Sequence, residues 1–236
     1  MSSADDARAE RRPPQHVVVP KPGGGVRRLT LLGPADDAAY RRAVRRLSGM
    51  IERVLGPEVM ANRVARGAEL RLRPWRSERR TFVRARRVLL GRGRLVVKTD
   101  VRDCYPSIGS EAVERALIRL GAWSSDLAPV RRMLDRFGAD DIAGLPIGPD
   151  PSAVLANAVL TAADDSVRAA GGGHVRWVDD VWAIVRDECH AEELLDRLRG
   201  GLAKVGLSLN ETKTRVLDRG EAVASLHGSD VPGGYR

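Results

Sequence analysis

Carboxylates end two extended apolar runs of this sequence. Asp100 follows the run Leu95–Thr99, and the pair Asp179 and Asp180 follows the run Val175–Val178. Ending buried strands on acids concentrates negative charge at one edge of a sheet, which is unfavourable unless the acids pair or bind a cation. Three carboxylates from two strands suit two Mg²⁺ ions, which prefer hard oxygen ligands and leave positions open for phosphate. The pattern therefore predicts phosphoryl transfer on nucleotides.

The overall composition narrows the class of protein. A net charge of +9 over 236 residues points to a polyanionic partner, and 43% hydrophobic residues are enough to form a core. The two cysteines are too few for a disulfide framework and fit no zinc-ligand spacing. No apolar run approaches the ~20 residues that span a bilayer. The start of the chain is acidic, then arginine-rich, without an apolar signal core. We therefore expect a cytoplasmic protein without membrane contact.

The positive charge is concentrated between Arg63 and Arg94. Twelve arginines stand there against two glutamates, a local charge of +10, and Trp75 and Phe82 are interleaved with them. Solvated charged surfaces usually mix both signs, so this segment favours contact with a phosphate backbone. The candidate nucleic-acid-binding residues are Arg76, Arg79, Arg80, Arg86 and Arg87.

Apolar periodicity and turn residues predict the order of elements. In chain order they are a disordered tail at 1–16, a hairpin within 16–32, a helix from Asp36 or Asp37 to Leu55, strands and loops through the basic segment, a strand at 95–99, helices at 110–120, 126–137 and 152–170, a hairpin at 175–185, a helix at 191–205, and a strand from 206 followed by a terminal strand or two and a glycine-rich tail. This order predicts an α+β fold in which helices pack on one face of an antiparallel sheet.

Four spaced segments carry a family resemblance. They are Asp100-Val-Arg-Asp-Cys-Tyr105, Leu145-Pro-Ile-Gly148-Pro-Asp-Pro-Ser152, Trp177-Val-Asp179-Asp180 and Leu207-Ser-Leu-Asn210-Glu-Thr-Lys213-Thr. Each is weak alone, but together and in this order they resemble the palm of a reverse transcriptase. The resemblance is strongest to the bacterial retroelement and defence type, which includes group II intron, retron and abortive-infection polymerases. More loosely, the segment 19–27 is similar to the fingers segment of that family.

The resemblance implies roles for the acids. Asp100 and Asp179 would bridge two Mg²⁺ ions, for which Mn²⁺ can substitute, with the carbonyl of Val101 as a backbone ligand. Asp180 would be a third and more peripheral acid. Considered without the resemblance, the three are also compatible with strand-end acids that turn amides cap.

The resemblance also implies a nucleotide site. Tyr105 would lie under the sugar and exclude a 2′-hydroxyl, although a core tyrosine is the simpler alternative. Gly148 and Ser152 would meet the templating base and the nucleotide, since glycine permits close backbone approach. Ser152 also fits the N-cap of a helix.

Three basic residues complete the predicted site. Lys21 and Arg27 would hold the triphosphate, and Lys213 would be an acid that assists release of pyrophosphate. Ordinary solvated charge explains each of the three equally well.

By this resemblance the chain has fingers at 17–94 and a palm at 95–236. Only 22 residues follow Thr214, so we expect the thumb to be lacking and a partner protein or oligomer to supply it. The expected function is RNA-directed DNA polymerase, which extends a DNA or RNA primer on an RNA template with dNTPs. The alternatives are template-independent DNA synthesis and, from another class, an inactive nucleic-acid-binding module.

Overall fold

The computed structural model describes residues 12–21 and 24–229, so most of the predicted tail and the glycine-rich end of the chain lie outside the described residues. In chain order the elements are β1 Gln15–Pro20, β2 Val26–Leu31, α1 Pro34–Val54, α2 Trp75–Leu90, β3 Leu95–Thr99, α3 Cys104–Ser107, α4 Ser110–Arg119, α5 Ser124–Ala139, α6 Asp150–Ala169, β4 His174–Trp177, β5 Asp180–Val185, α7 Glu188–Ala203, β6 Arg215–Asp218 and α8 Arg219–Ser229. In this part of the chain no helix is long and apolar enough to cross a membrane.

A four-stranded antiparallel sheet in the order β4-β5-β3-β6 carries the predicted acids. In its register Thr99 lies opposite Val181, so the chain leaves β3 beside the point where β5 begins. Because neighbouring antiparallel strands run in opposite directions, the end of β3 and the start of β5 share one edge of the sheet. The backbone positions of Asp100, Asp179 and Asp180 therefore lie side by side at that edge.

The main core lies on one face of this sheet. It joins α1, α4, α5, α6 and α7 to inward residues such as Val97, Val181 and Ala183. Helix α6 is its centre, since nearly every residue from Pro151 to Val167 is buried. The many alanines of this helix let neighbouring helices approach closely, so it can be surrounded on all sides.

Two helices cover the opposite face, which the sequence did not predict. Helices α2 and α8 pack there on Val96 and Trp182 through a second cluster that includes Phe82 and Leu226. The strands and loops predicted for the basic segment are therefore wrong over Trp75–Leu90. Phe82, Arg86 and Leu89 follow helical spacing and are buried. The terminal strands predicted after Thr214 reduce to β6, which helix α8 follows. The predicted fold class is confirmed, with this second helical layer added.

The strands β1 and β2 form a separate two-stranded hairpin, as the sequence predicted. The amide of Thr30 in β2 donates a hydrogen bond of 2.7 Å to the carbonyl of Ile147. This bond places the hairpin against the loop that precedes α6.

Candidate active site

Backbone hydrogen bonds bring the two acid-bearing segments together. Asp100 directly follows β3, and Asp179 is the second residue of the turn that joins β4 to β5. The amide of Val101 donates to the carbonyl of Asp179 at 3.3 Å. Burial, together with the charge of Asp100, raises the pKa of Asp179 to about 7. The site thus concentrates negative charge that a cation would offset.

The turn that carries Asp179 is strained at its first residue. Val178 has a φ of 57°, in the left-handed region. A β-branched residue rarely adopts this conformation, which costs of the order of 1–3 kcal/mol unless the surroundings impose it. The guanidinium of Arg176 donates a 2.8 Å hydrogen bond to the carbonyl of Val178. A contact from within the protein therefore helps to hold the strained turn.

Arg176 belongs to a buried polar network between β4 and α6. Its guanidinium is fully buried and donates to both carboxylate oxygens of Asp164, at 2.8 and 2.7 Å. It also donates to the amide oxygen of Asn157 at 3.0 Å, while His174 Nε2 lies 3.1 Å from Asp164 Oδ1. Burial would raise the pKa of Asp164, but the charge and hydrogen bonds of Arg176 outweigh it and hold that pKa far below its usual range.

The network continues to Tyr105. The side-chain amide of Asn157 donates to the carbonyls of Ala61 and Asn62, at 2.9 and 3.3 Å. Asn62 has a φ of 59°, and its own amide donates to the hydroxyl of Tyr105 at 3.3 Å. Burial raises the pKa of Tyr105, so this hydroxyl stays protonated. One chain of hydrogen bonds thus links the acid-bearing turn to Tyr105, for which the family resemblance implies contact with the sugar.

Asp180 faces the opposite side of the sheet from this network. Its carboxylate accepts a 3.1 Å hydrogen bond from the indole of Trp182, two residues along β5 and so on the same face. Burial raises the pKa of Asp180, while this bond and the charges of Lys98 and Arg86 lower it. In the described part of the chain, no three His, Cys, Asp or Glu side chains are grouped to hold a metal ion. The expected three-carboxylate site is therefore not assembled, because Trp182 holds Asp180 on the α2 side.

The structure brings Lys213 to Asp100. The ammonium Nζ lies 3.2 Å from both carboxylate oxygens. The backbone amide of Asn210 donates to the backbone carbonyl of Asp100 at 2.7 Å. This bond fixes the loop before β6 beside β3. The Lys213 side chain is 61% exposed and that of Asp100 19%, so the lysine covers the acid from the solvent side.

Gly148 lies where the backbone of strand β2 approaches the loop before α6 closely. Its φ is 127°, and a Cβ there would stand 3.1 Å from the carbonyl oxygen of Thr30. In the same loop the amide of Leu145 donates to the carbonyl of Tyr105 at 2.9 Å. The loop thus joins the β1–β2 hairpin to the segment that carries Tyr105.

Ser152 cannot contact a nucleotide in this structure. It is fully buried, and its hydroxyl lies 3.2 Å from that of Tyr40. It is not the N-cap of α6 either, because the cap is Pro149 and the helix begins at Asp150. Both interpretations of Ser152 are wrong, and its partner stands 112 residues away in the chain.

Lys21 and Arg27 lie on the β1–β2 hairpin. Backbone hydrogen bonds of Lys21 with Gly24 and Gly25 close the hairpin loop, and its side chain is exposed. Arg27 is half-buried in β2, opposite Val19. The hairpin reaches the candidate site through its contact with the Gly148 loop.

The predicted nucleic-acid-binding arginines all lie on helix α2, in three environments. Arg76, Arg80 and Arg87 are exposed. Arg79 is half-buried, with its guanidinium 5.4 Å from the ring of Phe82 and 5.3 Å from that of Trp177.

Arg86 is fully buried between Phe82 and Trp182, at 4.7 and 5.0 Å from their ring centroids. The prediction that Arg86 contacts nucleic acid is wrong, because two rings enclose its guanidinium.

Comparisons with known proteins agree with this architecture. Residues 19–223 match the family described as reverse transcriptase (RNA-dependent DNA polymerase). No curated protein sequence matches the chain. The structure of apo telomerase from Candida tropicalis, truncated from its C-terminal domain, superposes with a TM-score of 0.56 at 14% identity, covering 87% of this chain and 50% of that one.

A second telomerase gives the same result. The structure of telomerase from Candida albicans in complex with a fragment of telomeric RNA superposes with a TM-score of 0.51 at 13% identity, covering 92% of this chain and 43% of that one. At such identity the likeness concerns the fold. The chain spans half or less of the length of these solved structures.

Proposed function

Because the chain belongs to the reverse transcriptase family, we propose that it extends a primer with deoxynucleotides on an RNA template. The observation that carries the proposal is the meeting of Asp100 and Asp179 at one sheet edge. Tyr105 is joined to the same edge by the network through Asn157 and Asn62.

The donor set at this edge fits Mg²⁺ or Mn²⁺. Carboxylates of Asp100 and Asp179 and the carbonyl of Val101 are the hard oxygen ligands that these ions prefer. The raised pKa of Asp179 reports the same need for positive charge, since burial and Asp100 both disfavour its ionised form. When bound, two such ions would activate the primer 3′-hydroxyl and neutralise the departing pyrophosphate.

The protein groups around the acids have separate tasks. The ring of Tyr105 excludes a 2′-hydroxyl, and the Asn62 amide fixes the direction of its hydroxyl. Lys213 stands beside Asp100, from where its ammonium delivers a proton to the leaving pyrophosphate. Arg176 holds the turn that carries Asp179 through the carbonyl of Val178.

Primer extension tests this function. The purified chain would receive a primed RNA template with dNTPs and Mg²⁺, and a second reaction would omit the template. Asp179→Ala should abolish templated product and leave nucleic-acid affinity equal or higher, because it removes a negative charge from the site. Asp135→Ala is the matched control, since Asp135 is an exposed acid on α5 whose contact with Arg131 is 3.9 Å long.

Three outcomes would redirect the proposal. Templated synthesis by the Asp179→Ala protein would refute the assignment of the acids. Product without template would favour untemplated DNA synthesis. Nucleic-acid binding without synthesis under any condition would favour a binding module.

We further propose that the chain belongs with polymerases of the bacterial retroelement and defence type. The segments Leu145–Ser152 and Leu207–Thr214 support this, because their residues follow the pattern of that group. A phylogeny of the family across residues 19–223 tests the placement, and grouping with telomerases would contradict it.

A further inference from the structure

Trp182 is a fully buried tryptophan beside the acid-bearing turn. It stands two residues after Asp180 in β5, and its indole donates a 3.1 Å hydrogen bond to the Asp180 carboxylate. An indole has one donor and no acceptor, so this bond uses all of its hydrogen-bonding capacity. Trp182 lies outside the four segments that carry the family resemblance. Its role therefore has to be inferred from its contacts.

Residues from three elements fix the indole in place. The register pairs Lys98 of β3 with Trp182, so both side chains lie on the α2 face of the sheet. The ammonium of Lys98 lies 5.0 Å from the ring centroid and donates a 3.0 Å hydrogen bond to the hydroxyl of Ser225 on α8. The guanidinium of Arg86 on α2 covers the ring at 5.0 Å. Rotation of the indole would disrupt all of these contacts.

The same surroundings favour the observed position of the Asp180 carboxylate. The positive charges of Lys98 and Arg86 act on it from the α2 face. If the carboxylate turned to the acid edge of the sheet, the buried indole of Trp182 would lose its acceptor, and a buried donor without a partner is costly. The carboxylate would also add a negative charge to an edge that already concentrates it. Asp180 is therefore stable where it is, bonded to Trp182.

The acid-bearing turn is thus held from both faces of the sheet. On the α6 face, Arg176 donates a 2.8 Å hydrogen bond to the carbonyl of Val178. On the α2 face, the indole of Trp182 holds Asp180. Asp179 stands between these two anchored residues, so its backbone is fixed on either side.

We propose that Trp182 is a positioning residue for this turn. By holding Asp180 on the α2 face, its indole keeps Asp179 at the sheet edge, where Asp179 and Asp100 bind the ions without Asp180. This inference rests on the proposed function. In the opposite assignment Asp180 leaves Trp182 to become a third ligand. The two assignments predict different results when either partner of the bond is changed.

Mn²⁺ binding to the purified chain, measured by calorimetry without nucleic acid, tests the role of Asp180. Asp180→Asn keeps the shape of the side chain and an acceptor oxygen for the indole, but an amide is a much poorer ligand. It should weaken Mn²⁺ binding by no more than about 10-fold, the effect of one nearby charge screened by water. Asp179→Asn removes a ligand and should weaken binding by more than about 100-fold, the upper limit typical of a group outside the ligand shell. Equal losses in the two variants would overturn the assignment.

Trp182→Phe tests the indole itself, because it removes the donor and keeps a ring. The kcat of primer extension should fall by about 10-fold while the KM for dNTP changes little, since one hydrogen bond to a charged group is lost. Mn²⁺ affinity should not rise. Tighter Mn²⁺ binding would show that the released Asp180 joins the ions, and an unchanged kcat would show that the turn does not need the indole. Either result would overturn the proposal.

Two comparisons separate positioning from packing. Phe82→Leu removes a buried ring from the same cluster without touching the bond to Asp180, so it should lower the thermal stability but keep Mn²⁺ affinity and kcat. Asp180→Leu lacks the acceptor, so adding Trp182→Phe to it should lower kcat no further. A kcat loss in Phe82→Leu as large as that in Trp182→Phe, or a further loss in the Asp180→Leu background, would contradict a positioning role.

A third comparison does not depend on the folding of Trp182→Phe. Asp180→Asn and Asp180→Leu both leave the indole in place, and only the first keeps its acceptor. Asp180→Asn should therefore retain a higher kcat than Asp180→Leu, and equal kcat values in the two variants would count against the bond.

The same measurements distinguish this inference from the proposed function. If the wild-type protein binds Mn²⁺ and extends the primer, but Asp180→Asn loses as much Mn²⁺ affinity as Asp179→Asn, the positioning assignment fails alone. If the wild-type protein neither binds Mn²⁺ nor extends a primer, the proposed function fails and the positioning assignment fails with it.

Discussion

Two fully buried arginines lie on opposite faces of the central sheet, and their surroundings differ. Arg176 is enclosed on the α6 face by the carboxylate of Asp164, the amide of Asn157 and the carbonyl of Val178. Arg86, on the other face, lies between the rings of Phe82 and Trp182. Hydrogen bonds fix direction, whereas ring contacts tolerate some rotation. Hydrogen bonds of Arg176 thus orient the acid-bearing turn, whereas ring contacts of Arg86 help to pack helix α2 on the sheet.

The two arrangements meet in β4, where alternate residues serve different faces. His174 and Arg176 reach the network on α6, while Val175 and Trp177 pack toward α2. A strand with period 2 can therefore connect a polar interior to an aromatic one without a break. The turn at Val178 and Asp179 therefore follows a strand that is anchored on both faces of the sheet.

Removal of Arg176 should have the largest effect. The variant Arg176→Met leaves the Asp164 carboxylate buried with its main partner gone, so the free energy of unfolding should fall by about 3–5 kcal/mol. Urea denaturation measures this loss. The double variant Arg176→Met/Asp164→Leu should recover much of the stability, since it leaves no unpaired charge.

Activity then separates positioning from stability. The double variant still lacks the bond to Val178, so we expect kcat to stay low while the KM for dNTP changes little. Recovery of kcat together with stability would mean that Arg176 acts through stability alone.

Asp164→Asn should have the next largest effect, and one that depends on pH. The pKa of Asp164 is lowered in the folded protein, so its stabilising contribution is complete above the unfolded pKa, about 4. It is lost as the pH falls through the folded value. At neutral pH the variant should lose of the order of 2–3 kcal/mol.

Unfolding measured from neutral to strongly acid pH checks this prediction. The free energies of unfolding of wild type and variant should converge below pH 4. Curves that stay parallel throughout would show that Asp164 does not carry this pH dependence.

Arg86→Met should have a smaller effect than either change on the α6 face. Methionine fills a similar space and keeps its packing against the rings, but it removes the charge that lowers the pKa of Asp180, so about 1–2 kcal/mol should be lost. The salt dependence of nucleic-acid binding should not change. The exposed set Arg76→Gln/Arg80→Gln/Arg87→Gln is the contrast, and its slope on duplex should be shallower by about 0.9 for each phosphate that is no longer neutralised. A change of slope in Arg86→Met would restore Arg86 as a phosphate-binding residue.

Local patterns in the sequence predicted the strand ends, the acids and the Gly148 loop, because each depends on neighbours along the chain. The helical state of Trp75–Leu90 was missed, since its dense arginines resemble a solvated segment even though Phe82, Arg86 and Leu89 keep helical spacing. The orientation of Asp180 could have been predicted from Trp182, two residues along the same strand.

Other parts of the site depend on residues far apart in the chain. Ser152 meets Tyr40 across 112 residues, and Asn157 meets Asn62 across 95. The first contact follows from how helices α1 and α6 pack, and the second from how the segment between α1 and α2 lies against α6. No local spacing encodes either contact. The network beneath the acid-bearing turn was therefore outside the reach of motif analysis.

The smallest predicted effect lies at the far end of the network. Asn62→Gly removes the amide that holds the Tyr105 hydroxyl, and glycine tolerates the positive φ at this position without strain. Since a single hydrogen bond is removed, discrimination between dNTP and NTP should fall by about 2–10-fold. Tyr105→Ala should reduce it much further, because the ring itself excludes the 2′-hydroxyl.

The variant Tyr105→Phe provides the matched background. It lacks the hydroxyl that Asn62 holds, so adding Asn62→Gly to it should change discrimination no further. Steady-state incorporation of paired dNTP and NTP substrates measures each ratio. An equal effect of Asn62→Gly in both backgrounds would show that Asn62 acts on the nucleotide by another route, and the directional network would then end at Asn157.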